Sequence, residues 1–310
     1  MKKFTSLSLI TFLVFGSRIA LGQPDNIFVN SKGDVFVKAD APVYFFISPS
    51  NNPNQKVLIP STDKAANPMF FDGDGRHYFV YESHQGKKVR FLIYADGYGP
   101  KSYLKVTSGL LFEHKNRVYV QDSASFSIVA RDKRSGVKDS YFALDSLSFT
   151  TYSDIIKINK IGEHTIRIYS TDNVGNVGDT SEYHIIAAPD VTFRVNNIYF
   201  QTGSARLTQG SFEVLKEILD ILKKYPELHV EIAAHADVRG SSDSNMKLSQ
   251  RRAQSVVNYL VSKGVPSYRL YAKGYGDTRP INECVKGVKC SDLKHRENRR
   301  VEFRFYVPRK

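Results

Sequence analysis

Between His229 and Gly264 the apolar period of the sequence changes once, and that change constrains the fold more than any other feature. His229-Val230-Glu231-Ile232-Ala233-Ala234-His235 has the period of a strand, with Val230, Ile232 and Ala234 on one face and Asp237 closing it. From Leu248 the spacing is helical: Leu248, Val256, Val257, Leu260 and Val261 make an apolar stripe that Gly264 ends. A strand feeding an amphipathic helix belongs to a layered α/β unit.

Arg252 interrupts that stripe. It lies one turn from Leu248 and one from Val256, so it projects from the apolar face. Burying a guanidinium is costly unless an anion meets it with matching hydrogen bonds. Asp237 is either a permanent partner tying strand to helix, or both charges wait for a ligand that carries both signs.

The alternation continues on either side. A strand is expected over Phe193 to Phe200, then a turn at Thr202-Gly203-Ser204 and a helix capped near Thr208. That helix has Phe212, Leu215, Ile218, Leu219 and Leu222 as its stripe and Tyr225-Pro226 as its stop. A strand around Arg269 to Tyr271 and an alternating strand with Val301, Phe303 and Phe305 complete a sheet with two helices on one face.

The motifs along this stretch resemble the OmpA-like peptidoglycan-binding domain. They are Asp237-Val238-Arg239-Gly240, Asn245 and Leu248-Ser249-Gln250-Arg251-Arg252-Ala253, flanked by Ile198-Tyr199-Phe200, Lys273-Gly274-Tyr275-Gly276 and Asn298-Arg299-Arg300-Val301-Glu302-Phe303. The resemblance implies an α/β sandwich over 191–310 in which Asp237 and Arg252 grip diaminopimelate of the cell-wall stem peptide. Diaminopimelate offers an ammonium and a carboxylate on one carbon, which suits a carboxylate and a forked guanidinium. Asn245 adds a neutral hydrogen bond. Arg299 is the expected additional ligand, on the view that alternation with Val301 turns both to the buried side of a strand. Ala236 stands where the family often has Thr, and Gln201 where an acid is common.

The first half is different. Short strands broken by Gly, Asn, Asp and Pro turns run from Ile27 to Ile186; the clearest are Val35 to Val37, Val43 to Ile47, Val89 to Tyr94, Val118 to Val120, Phe126 to Ile128 and Thr165 to Tyr169. Val35, Val37, Ala41, Val43 and Phe45 match Val118, Val120, Ala124, Phe126 and Ile128 at one constant offset, and Gly86, Asp96 and Gly99 match Gly162, Asp172 and Gly175. Two tandem all-β Ig-like sandwiches are expected, over 23–109 and 110–188, loosely resembling Ig-like modules of bacterial surface proteins. The alternative is an outer-membrane β-barrel carrying the same C-terminal domain, but charged residues interrupt these short runs. Asp172-Asn173-Val174-Gly175-Asn176 lacks the acidic series of a calcium loop and reads as an Asx/Gly turn.

Residues 1–22 read as a signal peptide: Lys2 and Lys3, an apolar run from Leu7 to Phe15, and Ala20-Leu21-Gly22 as the cleavage site. In an exported chain Cys284 and Cys290 are expected to form a disulfide, since His295 alone is too few further ligands for a metal. Residues 191–310 hold 22 Lys and Arg against 12 Asp and Glu, a surplus of +10 within the chain's +13. Such a module faces an anionic polymer, and export favours the wall over nucleic acid. His235 with Asp237 is the only base-like pair noted, and no nucleophile motif, metal spacing or phosphate loop accompanies it. The expectation is a non-catalytic, cofactor-free periplasmic protein associated with the outer membrane. It binds peptidoglycan through 191–310 and a protein partner through the sandwiches. A wall-modifying accessory to hydrolysis is a third reading.

Overall fold

The computed structural model describes residues 26–41, 45–47, 57–59, 71, 73–82, 86, 88–195 and 198–308; the expected signal segment lies outside them. The chain divides into two compact units. The first gathers Met1–Lys105, Ser127–Asp154 and Ile166–Glu182, and the second Val106–Phe126, Ile155–Thr165 and Tyr183–Lys310.

The described residues of the first unit form strands and turns. Ile27–Val29, Val35–Lys38, Lys88–Asp96 and Gly75–Glu82 lie in that order in one sheet, and Val35–Lys38 runs parallel to Lys88–Asp96 with Val35 opposite Ile93. Val137–Leu144 pairs antiparallel with the stretch from Ile166 to Asp172. The segment after Asp172 is the Asx turn expected from its residues: Asp172 Oδ1 accepts the Val174 and Asn176 amides at 3.0 and 2.7 Å. Asp96, Asp132 and Asp172 bring carboxylate oxygens within 4.8 Å of one another. N–H donors from Ser135, Arg134, Gly136 and Asn176 meet these oxygens, so the turns themselves account for the cluster.

In the second unit, Val118, Tyr119 and Val120 lie parallel to Ile185, Ile186 and Ala187. The repeated positions Val35 and Val118 thus each sit beside a parallel partner strand. Val118 to Val120 and Phe126 to Ile128, read separately in the sequence, belong to one strand, Arg117–Arg131. Its 15 residues stay continuous because polar Asp122 and Ser123 only punctuate the apolar pattern and no turn residue breaks the ladder.

The C-terminal sheet has four strands: β1 (Val191–Val195), β2 (His229–Ala234), β3 (Leu270–Gly274) and β4 (Val301–Tyr306), in the order β1-β4-β2-β3. β4 is antiparallel to β1 and β2, whereas β2 and β3 are parallel. A parallel pair needs a crossover, and α2 (Ser242–Ser262) supplies it. α1 (Phe212–Lys224) follows a 3₁₀ turn, Gln209–Ser211, that begins after Thr208. Val230, Ile232, Leu215, Leu222, Val256, Leu260, Phe303 and Phe305 are fully buried between sheet and helices.

Several expected boundaries move. The first strand ends at Val195 among described residues, and Phe200 makes an isolated bridge with Leu207. α2 buries Asn245, Ser249, Ala253, Val256, Val257 and Leu260, while Val261 is exposed at 40%. The helix turns small and polar residues to the sheet in its first half, which an apolar stripe cannot reveal. A third helix, α3 (Asp292–Asn298), follows the Cys284–Cys290 disulfide, where only a loop was expected. Its seven residues carry too little periodicity to announce it.

Gly274 explains part of the Lys273-Gly274-Tyr275-Gly276 motif. A Cβ there would lie 2.3 Å from the Gln250 nitrogen and 2.6 Å from its Cα, because α2 rests directly on the end of β3. Gly274→Ala is expected to lower stability by roughly 3 kcal/mol, read as a fall in the unfolding midpoint of the full chain. An unchanged midpoint would show that helix and strand are not in backbone contact.

Candidate functional site

The end of β2, the start of α2 and the residue following α3 converge on Asp237. The chain leaves β2 through His235 and Ala236, whose amides bond the carbonyls of Arg300 and Gly276 at 3.0 and 2.8 Å. It then turns at Gly240, where φ is +89°. Ser241 caps α2 by accepting the Ser244 amide at 3.2 Å. Asn245, in the first turn, donates both to the Asp237 carbonyl at 2.9 Å and to the Arg239 carbonyl at 3.1 Å. Asn245 therefore fastens the loop that presents Asp237.

The Asp237 carboxylate is buried and crowded by cations. The Arg239 amide donates to Oδ1 at 3.0 Å, Arg239 Nε and Nη2 donate to Oδ2 at 3.2 and 2.7 Å, and Arg299 Nη1 donates to the same Oδ2. Burial alone would raise its pKa, but the Arg239 and Arg299 donors outweigh that and hold it at about 2.

Arg252 does not join that ion pair. Its Nε donates to the Ser204 carbonyl at 3.0 Å and its guanidinium lies 5.0 Å from the centre of the Phe200 ring. Among the described residues no carboxylate comes within ion-pair distance of it. Burial, then the Arg299 charge, lower its pKa, and Asp237 opposes them, so the Asp237 charge is near but not bound. The permanent strand-to-helix salt bridge between Asp237 and Arg252 is absent. The Phe200 ring and the Ser204 carbonyl instead form the seat of the Arg252 side chain.

Arg299 reaches Asp237, though not from a strand. It is the C-cap of α3, and β4 starts only at Val301, so alternation with Val301 does not set its direction. Arg300 is diverted: its Nε bonds Glu302 Oε1 at 2.7 Å. Arg239, to which the sequence assigned no role in the site, supplies most of the donors to Asp237. Its position two residues after an Asp at a strand end was the available signal.

His235 is structural in its surroundings. It is buried, stacks on Tyr275 with centroids 5.2 Å apart, and lies 3.6 Å from Glu302. Burial first, then Arg300, lower its pKa to about 4 against the pull of Glu302. These two groups are expected to give the protein a two-step acid response. His235, against an unfolded value of about 6.5, contributes fully above that pH and loses its contribution as pH falls to 4. Asp237 contributes above an unfolded value of about 4 and loses roughly 2 kcal/mol as pH approaches 2. The unfolding midpoint of the full chain is expected to fall across both windows. In His235→Phe, which can keep the ring stack, the upper step should shrink to what the burial-lowered His114 and His229 contribute; an undiminished step would assign it elsewhere.

Among the described residues no helix is long and apolar enough to cross a membrane. Comparison with known proteins matches residues 199–291 to the OmpA family. The "Probable lipoprotein YiaD" of Escherichia coli (strain K12) is 36% identical over 110 residues, which cover 35% of this chain and 47% of that protein. The "Peptidoglycan-associated lipoprotein" of Brucella melitensis is 33% identical over 99 residues, 32% of this chain and 59% of that one. This chain thus spans about half the length of these curated relatives. The solved structure of the cell wall anchor of the T6SS from Pseudomonas aeruginosa is 30% identical, covers 38% of this chain and 81% of that one, and has a TM-score of 0.32. Residues 199–291 are thus the stretch of this chain that matches the OmpA family.

Proposed function

We propose that this protein is a non-catalytic anchor that holds peptidoglycan through diaminopimelate of the stem peptide. The observation that carries this reading is the Arg252 guanidinium, set on Phe200 and Ser204 with no carboxylate in ion-pair distance among the described residues, near the Asp237 carboxylate that Arg239 and Arg299 hold toward its charged form. A desolvated guanidinium fork without a carboxylate is half of a binding site. Arg252 receives the ligand's carboxylate, Asp237 its ammonium, Arg299 lends a second cationic donor, and Asn245 holds the loop in place. The name of the Brucella relative, peptidoglycan-associated lipoprotein, supports peptidoglycan as the class of partner.

The remainder of the chain extends the proposal. Residues 1–22 direct export, and the working place is the periplasm at the outer membrane. Residues 23–109 and 110–188 are two Ig-like sandwiches that engage a protein partner. Their support is that Val35 and Val118 each lie in a strand with a parallel neighbour. Purified sacculi should carry the full chain into the pellet on centrifugation, and free meso-diaminopimelate should release it. A protein that stays in the supernatant contradicts the reading, and lysis of the sacculi would replace it with an enzymatic one.

A further inference from the structure

We infer that Arg239 is a built-in stand-in for the ligand's ammonium, holding Asp237 in the free protein and passing to Asp292 when a zwitterionic ligand enters. This rests on the peptidoglycan reading above. One guanidinium already spans both carboxylates: Nε and Nη2 lie on Asp237 Oδ2, while Nη1 lies 2.9 Å from Asp292 Oδ1. Arg299 occupies the same Asp237 oxygen. An incoming ammonium therefore meets a carboxylate whose Oδ2 is already taken by two cations, and one of them has to leave.

Arg239 is the one built to leave. Its side chain is 52% exposed against 33% for Arg299, and the Asp292 side chain that receives it is 88% exposed. The exchange needs only side-chain rotation, because Asn245 pins the backbone carbonyls of both Asp237 and Arg239. Asp292 is placed by the first turn of α3, next to the Ser291 cap and two residues beyond Cys290 of the disulfide.

The latch makes a prediction opposite in sign to general charge steering. Stem peptides are anionic, so steering alone has loss of a cation weaken binding and loss of an anion strengthen it. With the latch, Arg239→Gln frees Asp237 and binding tightens about three- to fivefold, the scale of one partly exposed ion pair. Asp292→Asn removes the receiving group and binding weakens about two- to fivefold. The double variant should match Arg239→Gln, since Asp292 then has nothing to catch, and Arg239→Lys should fall between it and wild type.

The test is a calorimetric titration of the full chain and these variants with a stem tripeptide ending in meso-diaminopimelate, with unfolding midpoints measured alongside. The opposed signs and the matching double variant support the latch, provided the midpoints show each variant folded. Reversed signs, or variants that bind like wild type, overturn the latch alone. A wild-type chain that binds no tripeptide overturns the peptidoglycan reading and the latch with it.

Discussion

Replacing Arg252 with Met is expected to abolish binding to sacculi while leaving the protein as stable as wild type or slightly more so. The two outcomes come from one cause. Arg252 is half-buried, and its charge meets a carbonyl and a ring face, but no carboxylate among the described residues. A partly buried charge without its counter-ion is a cost to folding, and an apolar side chain of similar length removes that cost while still covering Phe200. In the bound state the same guanidinium is matched by the ligand's carboxylate. Truncating one member of a buried, hydrogen-bonded charge pair costs about 2–5 kcal/mol, or roughly a thirtyfold loss at least. Co-sedimentation gives the first quantity and the unfolding midpoint the second. A variant that loses stability and binding together would mean that Arg252 serves the fold.

Arg269→Met should do the reverse, lowering stability by roughly 4 kcal/mol while preserving the binding of whatever protein remains folded. Arg269 is 4% exposed. Its Nε donates to the Leu228 carbonyl at 2.7 Å, and its Nη2 to those of Leu222 and Tyr225 at 2.9 and 2.8 Å. These carbonyls lie at the end of α1 and in the turn leading into β2, where the helix leaves acceptors without partners. One side chain therefore satisfies three buried acceptors and ties the entrance of β3 to the exit of α1. Methionine fills much of the volume and donates nothing, so the expected loss is of charge-assisted hydrogen bonds. A fall below about 1 kcal/mol in chemical unfolding of the full chain would show that water satisfies these carbonyls instead.

The contrast between these two arginines shows how far the sequence could be read. Arg252 was recognisable because it interrupts an apolar stripe, and a helix period says which face a residue takes. Arg269 gave no such signal. It sits in a short 3₁₀ turn, Ser267–Arg269, where no period operates, and its partners are backbone carbonyls more than 40 positions away. The β2–α2 passage was legible because its strand and helix are each long enough for a pattern. The direction of Asp237 was not, since the choice between Arg252, Arg239 and Arg299 is made by loop geometry around Gly240 and Asn245. Arg299 reached the site for a different reason from the one its spacing suggested, as a helix cap. In the first half, the long strand Arg117–Arg131 runs through what looked like a break, and the strands parallel to Val35 and Val118, Lys88–Asp96 and Ser181–Ala187, are not the two that the match of Asp96 with Asp172 would equate.

The central claim is that Arg252 and Asp237 are kept apart to receive the two charges of one amino acid. The most direct measurement is to follow the Arg252 Nε–Hε and Asp237 carboxylate resonances while the full chain is titrated with a stem tripeptide ending in meso-diaminopimelate. The account predicts that both signals shift and saturate along one binding curve, with Arg299 moving beside them. A tripeptide that binds while these two signals stay fixed would contradict it.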